Sequence, residues 1–566
     1  MIWSQNYDPF GATWISALLA ALPVVVMLGS LAFLHLRAHV AASLGLAAAL
    51  VVAIAGFGMP VQLAVSAAGF GAAYGLLPIG WIVLNIIFLY QLTNEHGQFD
   101  VLRRSIAGIS EDSRIQLLLI AFCFGAFFEG AAGFGTPVAV IGAMLIGLGF
   151  TRLQAAGLTL IANTAPVAFG ALGTPLVTLA AVTGLPLIEL SAMAGRQMAL
   201  FCLIVPFWML VAYCGWRRTM EVWPAILVAG ATFALLQLLI SNLHGPWLAA
   251  IGAALGSIFV LIAFLQMWSP RSVMHVNQAP LSKGDERVPS TTAADLESHE
   301  DAVVKVSAAE ATRGSPARAW MPWLILTIVV FVWGLPFVKA ALDGIFKPMF
   351  PIPWLDGLVQ RVPPVVAAAE PEKAVYTLNI LSTTGSGIFL AAIISGLLLG
   401  SSPLALARTY ARAFVLVIPS LLTISAMLAL GYVTRFSGVD ATMGLAFAAT
   451  GLLYPFFGTM LGWLGTAVTG SDTASNVLFG SLQRITSEQL GLPPVLMAAA
   501  NSTGGVMGKM VDAQSIVVAS TATRWFGAEG KILRYVFIHS LVLGVLVAIE
   551  VTLFAYVPVL KSLVPG

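Results

Sequence analysis

Long apolar runs alternate with short polar connections along this 566-residue chain. A run of roughly 17 residues or more can cross a bilayer as a helix. Such runs fall at 14–34, 40–58, 77–95, 153–185, 198–214, 223–240, 246–267, 320–338, 376–399, 413–433, 490–523 and 531–557. The pattern predicts an all-α polytopic membrane protein with about 12 transmembrane helices. Two further runs, 115–150 and 441–483, are too long for one span and are broken midway by glycine and polar residues. Each reads as a re-entrant helical hairpin that enters and leaves by one side, with a pair of true crossings as the plain alternative. The stretch 61–76 is glycine-rich and weakly apolar, and reads as a short interfacial or re-entrant piece.

Composition supports the same class. Hydrophobic residues make up 59% of the chain and charged residues 9%, far from the balance of a soluble domain. A net charge of +2 gives no reason to expect a nucleic-acid partner, so the bilayer is the expected surrounding. Cys123, Cys202 and Cys214 lie in or at the ends of apolar runs, without metal-ligand spacing or a disulfide framework. No metal and no cofactor are expected. The start, "MIWSQNYDPF", lacks the basic residues of a cleaved signal, so the first span is expected to stay in the mature protein.

Basic residues set the expected orientation. Arg37, Arg103, Arg104, Arg114, Arg217, Arg218, Arg408, Arg412, Arg524, Lys531 and Arg534 fall on one side if the hairpins do not cross, together with the loop 268–318. That side is then cytoplasmic and both termini are extracytoplasmic. The chain divides into an N-terminal transmembrane half, 1–267, a charged Ser/Ala-rich cytoplasmic linker, 268–318, and a C-terminal transmembrane half, 319–566. The linker has the composition of a disordered segment. The proline-rich stretch 340–373 is expected to lie over the outer face.

The two halves resemble each other. "EGAAGFGTP" (129–137) followed by "LIANTAPVAFGALGTP" (160–175) is matched by "TAVTGSDTASN" (466–476) followed by "LMAAANSTGGVMGKM" (496–510). The first hairpin then opens to the cytoplasm and the second to the outside, which makes an inverted repeat with the substrate site at its centre. A break at mid-membrane depth exposes backbone groups that lipid cannot satisfy, and helix N-termini there attract anions. Ser471, Asp472 or Thr473 is an N-cap for the returning helix, and Thr136 and Thr174, each before a proline, are others. The plain alternative is that these polar residues only cap broken helices.

Charges inside apolar runs are sharper signals, since each costs at least roughly 2.5–3.5 kcal/mol at the bilayer centre. Glu129, Asp472, Lys509, Asp512, Arg196, His539 and Glu550 are such residues. Lys509, after "TGGVMG", is the expected counter-ion for a carboxylate, with an internal pair to Asp472 or Asp512 as the alternative. Burial disfavours a charged carboxyl, which makes Asp472 and Glu129 proton-coupling candidates, with His539 in reserve. Arg196 and Glu550 stand near span ends, where they can snorkel. The expected substrate site lies between the two hairpin breaks. It draws on Gly133, Gly135, Thr136, Asn163, Thr164, Ser471, Thr473, Ser475, Asn476, Asn501, Ser502 and Lys509.

Taken together, "QNYDPFG", "FCFGAFFEGAAGFGTPVAV", "NTAPVAFGALGTP", "PPVV" at 363–366, "GWLGTAVTGSDTASN" and "NSTGGVMGKM" resemble the lactate permease family of bacterial inner-membrane carriers, with its glycolate permease members. The resemblance covers nearly the whole chain apart from the linker. It implies uptake of L-lactate, D-lactate and glycolate with protons as co-substrate, the bacterial inner membrane as location, and a place in the ion-transporter superfamily with elevator-type movement. A sodium-coupled or other small organic-anion carrier of the same fold is the alternative. No HExxH, paired-cysteine or GxSxG pattern supports an enzyme. The sequence is silent on oligomeric state and on the preferred 2-hydroxymonocarboxylate.

The orientation is directly testable. Tags at Met1 and Gly566 are expected to be reached from outside intact cells, and a Gly284→Cys variant is expected to resist an impermeant thiol reagent. Labelling at position 284 would overturn the assignment of sides and the inverted repeat that depends on it.

Overall fold

The computed structural model describes residues 2–32, 34, 36–98, 101, 105, 109–133, 136–276, 315–525 and 528–565. Gly135, Arg103 and Arg104, and most of the expected linker including Gly284, lie outside these residues, and Thr136 is described in its backbone alone. Among the described residues 11 helices are long and apolar enough to cross a membrane, or up to 12 when a bent pair counts as one span. This agrees with the periodicity of the sequence.

In the first half, α1 (Thr13–Ala32) and α2 (Ala38–Val51) are followed by α3 (Val61–Tyr74) and α4 (Trp81–Glu95). Next come α5 (Ser113–Ala131) and α6 (Thr136–Gly147), then α7 (Arg152–Ala162) and α8 (Gly170–Thr183). The half closes with α9 (Leu187–Cys214), α10 (Trp223–Leu243) and α11 (Ala249–Met267). The second half opens with α12 (Pro316–Gly334), the short α13 (Pro336–Ile345), α14 (Thr384–Leu399) and α15 (Pro403–Ser437). It continues through α16 (Val439–Phe447), α17 (Tyr454–Thr469), α18 (Asp472–Gln489), α19 (Pro494–Gly508), α20 (Ala513–Ala522) and α21 (Glu529–Tyr556).

Helix α15, 35 residues long, about 50 Å at 1.5 Å per residue, joins the two ends of the bundle. One end carries the Glu95–Arg412 pair at 3.1 Å and the fully buried Arg114, paired with Asp112 at 2.8 Å and Glu221 at 2.7 Å. The other carries Arg435, paired with Glu372 at 2.7 Å. There the N-terminal strand Trp3–Ser4 runs parallel to Val359–Arg361, and Arg196 donates to the carbonyl of Leu563 near the C-terminus. Both termini thus lie at one end. The stretch 340–373 adds short strands at that end beside α13.

α5 and α6 form a hairpin based at the Arg114 end, and α17 and α18 form one based at the opposite end, where the Gln489 amide donates to Pro364 O at 3.0 Å. Each hairpin is followed by an interrupted helix. α7 and α8 bend by 64° across 163–166, and α19 and α20 are separated by the turn Lys509–Val511. The runs 153–185 and 490–523, read from sequence as plain spans, are therefore broken. In the first the break is made by backbone geometry, with little polarity to reveal it.

Two further boundaries differ from expectation. The stretch 61–76 is the first part of one helical path, Val61–Glu95, bent where Leu77 leaves helical angles and Pro78 lacks an N–H. Its glycines serve close approach: a Cβ on Gly71 would meet the Leu428 backbone, and one on Gly75 would meet Ser425 Cα at 2.8 Å. The second hairpin starts at Tyr454, because Gly451 (φ 58, ψ −129) separates α16 from the hairpin's first leg.

Lipid gives helices no hydrophobic reason to associate, so contact between small residues holds them. Along α17 and α19 the backbones touch: Cβ atoms built on Gly462, Gly504 and Gly508 would meet the carbonyls of Asn501, Thr459 and Trp463. The first hairpin is held differently. Its leg Ser113–Ala131 is 94% buried in protein, against 28% for Pro316–Gly334, so it occupies the core. Phe128 packs edge-on against Phe124 and Phe127, whose rings are parallel to each other, and Phe127 packs edge-on against Trp320 and Trp323.

Gly508→Leu is expected to reduce the yield of folded protein and lower its melting temperature in detergent, overpacking costing about 1–3 kcal/mol or more. Gly344→Ala, on α13 with no atom within 4 Å of the added methyl, is expected to change stability by less than about 0.5 kcal/mol. Equal melting of the two variants would refute backbone contact as the basis of this packing.

Candidate functional site

All four interruptions meet. The first leg of each hairpin ends on a left-handed glycine, Gly133 (φ 57) and Gly470 (φ 71), which any other residue would adopt only under strain. Gly133 is also fixed by contact, since a Cβ there would stand 3.1 Å from Ala171 Cβ. The returning helix α18 is capped by Ser471, whose hydroxyl accepts from Ala474 N at 3.2 Å. α20 is capped by Asp512, whose Oδ1 accepts from Ser515 N at 2.7 Å. In the fourth break Ala171, Leu172 and Gly173 hold φ of 43, 54 and 76. Two of these are not glycine, a conformation costing about 1–3 kcal/mol each. Thr174, expected as a cap that accepts, instead donates its hydroxyl to Ala171 O at 2.6 Å and secures this turn.

Between the breaks lies a cavity of about 80 Å³. A single water needs roughly 10–15 Å³ on this measure, so the space suits a ligand of a few non-hydrogen atoms. Gly133 and Glu129 line it from the first hairpin, Gly470, Ser471, Asp472 and Thr473 from the second, Gly170, Ala171, Thr174 and Pro175 from α8, and Lys509 and Gln514 from the last break.

Among the described lining residues Lys509 is the one cation. Its Nζ donates to Gly470 O at 2.5 Å and stands 3.3 Å from Asp512 Oδ2. The internal pair considered from sequence is thus to Asp512. Asp472, buried, accepts from the hydroxyl of Ser502 and, at 3.5 Å, from Thr466 Oγ1. Glu129, buried on the opposite side, accepts from Asn163 Nδ2 at 3.0 Å. Lys509 lies within electrostatic reach of both carboxyls. Each carboxyl also needs a glycine beside it: a Cβ on Gly170 would meet Glu129 Oε1 at 2.6 Å, and one on Gly505 would meet Asp472 Oδ1.

Of the residues expected at the site, Gly133, Ser471, Thr473 and Lys509 line the cavity, with Glu129 and Asp472. Asn163 and Ser502 stand behind it as partners of the two carboxyls. Thr164 donates to Ile161 O at 2.8 Å within its own chain turn. Ser475, Asn476 and Asn501 form a buried network behind the second hairpin. Asn501 Nδ2 donates to Asn476 Oδ1 at 2.9 Å, Asn501 Oδ1 accepts from Gln483 at 3.2 Å, and Asn476 Nδ2 donates to Pro175 O at 3.2 Å. That network ties the second hairpin to α8. His539 lies away from the cavity, accepting from Trp208 Nε1 at 3.0 Å. Arg196, near the start of α9, donates to Asn242 Oδ1 at 3.0 Å. Thr174, Pro175 and Gln514 were missed as site residues, although the second "GTP" (173–175) repeats the motif of the first.

The arrangement can hold a small anion on a buried ammonium and capped helix ends, with two protonatable carboxyls beside it. Among the described residues no group of three or more His, Cys, Asp or Glu side chains could hold a metal ion.

The chain matches the family described as L-lactate permease over residues 16–558. It is 44% identical over 560 residues to the glycolate permease GlcA of Escherichia coli K12, and 42% identical over 565 residues to the L-lactate permease of Salmonella typhimurium. In both cases 98% of each chain is covered. It is 41% identical over 564 residues to the L-lactate permease of Bacillus subtilis, covering 97% of this chain and 98% of that one.

The division between cavity and network predicts opposite outcomes. Asn501→Ala strands buried polar groups on Asn476 and Gln483 and is expected to cost about 1–3 kcal/mol of stability. Thr473→Ala is expected to leave the thermal melt within about 0.5 kcal/mol of the parent. A stable Asn501→Ala protein would remove the structural role assigned to this network.

Proposed function

This chain belongs to the L-lactate permease family, and from that premise we propose that it takes up lactate, and glycolate with it, in symport with protons across the bacterial inner membrane. The family is one of permeases, and the chain is a multi-pass membrane protein. The observation that carries the substrate reading is Lys509 facing a small cavity at the junction of four helix breaks, with Asp472 and Glu129 in the same walls. In this reading the substrate carboxylate engages Lys509 and the capped start of α18. Its hydroxyl and short apolar body face Thr174, Gly170 and Ala171.

The proton reading follows from electrostatics. Carrying an anion inward against a negative-inside potential costs about 2.3 kcal/mol per charge per 100 mV, and an accompanying proton cancels that cost. Asp472 and Glu129 are the candidate proton carriers. A bound anion and an ionised carboxyl in one dry cavity repel, so proton and substrate each favour the binding of the other. Lys509 ordinarily supports the ionised carboxyls, and an anion bound to it partly removes that support. Lactate therefore engages Lys509, a carboxyl takes up a proton, and the neutralised site crosses. The Ser502 hydroxyl and the Asn163 amide would hold the two carboxyls in place during the cycle.

Purified protein in proteoliposomes tests both parts. Lys509→Ala is expected to weaken lactate binding by about 2 kcal/mol or more. Asp472→Asn is expected to lose uphill accumulation driven by a proton gradient while keeping lactate counterflow, with Glu129→Gln measured beside it. Undiminished binding by Lys509→Ala would remove the counter-ion role, and full accumulation by Asp472→Asn would reduce Asp472 to a helix-end residue. Accumulation driven by sodium alone would favour the sodium-coupled alternative.

A further inference from the structure

A second, larger cavity of about 380 Å³ lies on the side of the bundle where both termini are found. One wall is the far part of α8, where Val177, Ala180 and Ala181 lead to the exposed Gly184. Facing it are Trp247, just before α11, and Lys339 and Asp343 on α13. Asn379, Ser382, Thr383 and Thr384, at the entry to α14, complete the polar part of the lining. α8 connects this space to the central one, since Thr174 and Pro175 line the inner cavity and Val177 the outer. Three helical residues rise only about 4.5 Å. The two cavities are neighbours along one helix.

The charge in the outer cavity is set up to meet an anion. Lys339 Nζ sits 3.7 Å from the centroid of the Trp247 ring, an attraction that holds the ammonium while leaving hydrogen-bond donors on its other side. Among the described residues no carboxylate lies within ion-pair distance of it. Asp343, one turn along, is engaged by Lys347 at 2.8 Å and by the Ser382 hydroxyl. The hydroxyls of Thr383 and Thr384 and the Asn379 amide add neutral donors. Trp247, Ile82 and Leu185 give an apolar wall for a short carbon body.

We infer that the outer cavity is a second, transient binding site for a small monocarboxylate on its way between the surface and the central cavity, with Lys339 as the anion-binding residue. The identity of the anion as lactate or glycolate rests on the transport reading above. Burial holds Lys339 well below the usual lysine range, at about 8. Around it, burial lowers His244 below its ordinary value, so that ring stays neutral at higher pH. Asp343, against the cost of its burial, is kept below the usual carboxylate range by Lys347 and Ser382. Tyr74 lies across the cavity on α3. Lys339 is therefore the group that changes charge just above neutrality. It is cationic below about 8 and attracts the anion there, and the attraction is lost as pH rises through that value.

The test is lactate exchange by the full chain in proteoliposomes of zwitterionic lipid, with equal pH on both sides. Lys339→Gln is expected to raise KM roughly five-fold at about pH 7 with the saturating exchange rate unchanged. Wild-type KM is expected to rise more steeply between about pH 7 and about pH 9 than that of Lys339→Arg, whose guanidinium keeps its charge and which retains only the pH dependence of the central carboxyls. A KM for folded Lys339→Gln equal to that of wild type, or the same pH curve for wild type and Lys339→Arg, overturns the inference. The arginine curve decides if the glutamine variant fails to fold. If wild type exchanges no lactate, the transport reading fails instead. The cavity is then judged by whether acetate slows modification of Asn379→Cys by an anionic methanethiosulfonate, and whether that protection vanishes in the Lys339→Gln background. Protection that survives Lys339→Gln, or no protection at all, rejects the site.

Discussion

Inside a bilayer the backbone has no water to turn to, and every N–H or C=O released from a helix must find a partner in the protein. This chain opens four helices at one depth, and much of its polar chemistry answers that requirement. Ser471 and Asp512 cap the helices that begin at two of the breaks, Thr174 secures the left-handed turn at a third, and Lys509 covers the carbonyl of Gly470. The fourth, at Gly133, is closed by contact with Ala171. Groups that satisfy a helix end are the same groups that can bind an anion. The cavity is a by-product of bringing the four repairs together.

Electrostatics then restricts what the cavity can accept. Lys509 already has Asp512 and a backbone oxygen, so its charge is supported within the chain itself. Asp472 and Glu129 lie against Gly505 and Gly170, with uncharged donors close at hand, Ser502 and Thr466 for the first and Asn163 for the second. A hydroxyl or amide can serve either protonation state of a carboxyl, whereas a guanidinium would lock it ionised. Among the described residues neither carboxyl has a guanidinium against it.

How much of this was readable in advance depended on whether a feature was written in side chains or in backbone. The hairpin tips showed because glycine and polar residues interrupt an apolar run, and Lys509, Asp472 and Glu129 showed because charge is rare there. The break ahead of α8 showed only through the "GTP" at 173–175, since Ala171 and Leu172 make it with apolar side chains at positive φ. Thr174 and Pro175 were consequently read as the start of a helix and not as cavity wall. Glycines on α3 were taken as weak apolar character, whereas they allow α15 to lie against the backbone. Asn501 was paired with Asn163 by the internal repeat. A repeat fixes height in the membrane but not the face of the helix, and Asn501 faces away from the cavity toward Asn476.

That last difference shows what the inverted repeat does and does not share. The two halves supply the same backbone plan, a hairpin ending on a left-handed glycine followed by an interrupted helix. They do not supply the same chemistry. Four residues before Gly133 stands Glu129, while four before Gly470 stands Thr466, a partner of Asp472. The first interrupted helix contributes a strained, uncharged turn and the second contributes Lys509 and Asp512. An inverted plan of this kind puts the site at the centre of the bundle, between its two ends. Asymmetry of the side chains gives the site one wall that carries Lys509 beside Asp472, contributed by the second half, and one uncharged wall, contributed by α8. A ligand with a carboxylate at one end and a hydroxyl and a small carbon group at the other would have a preferred way round in such a space.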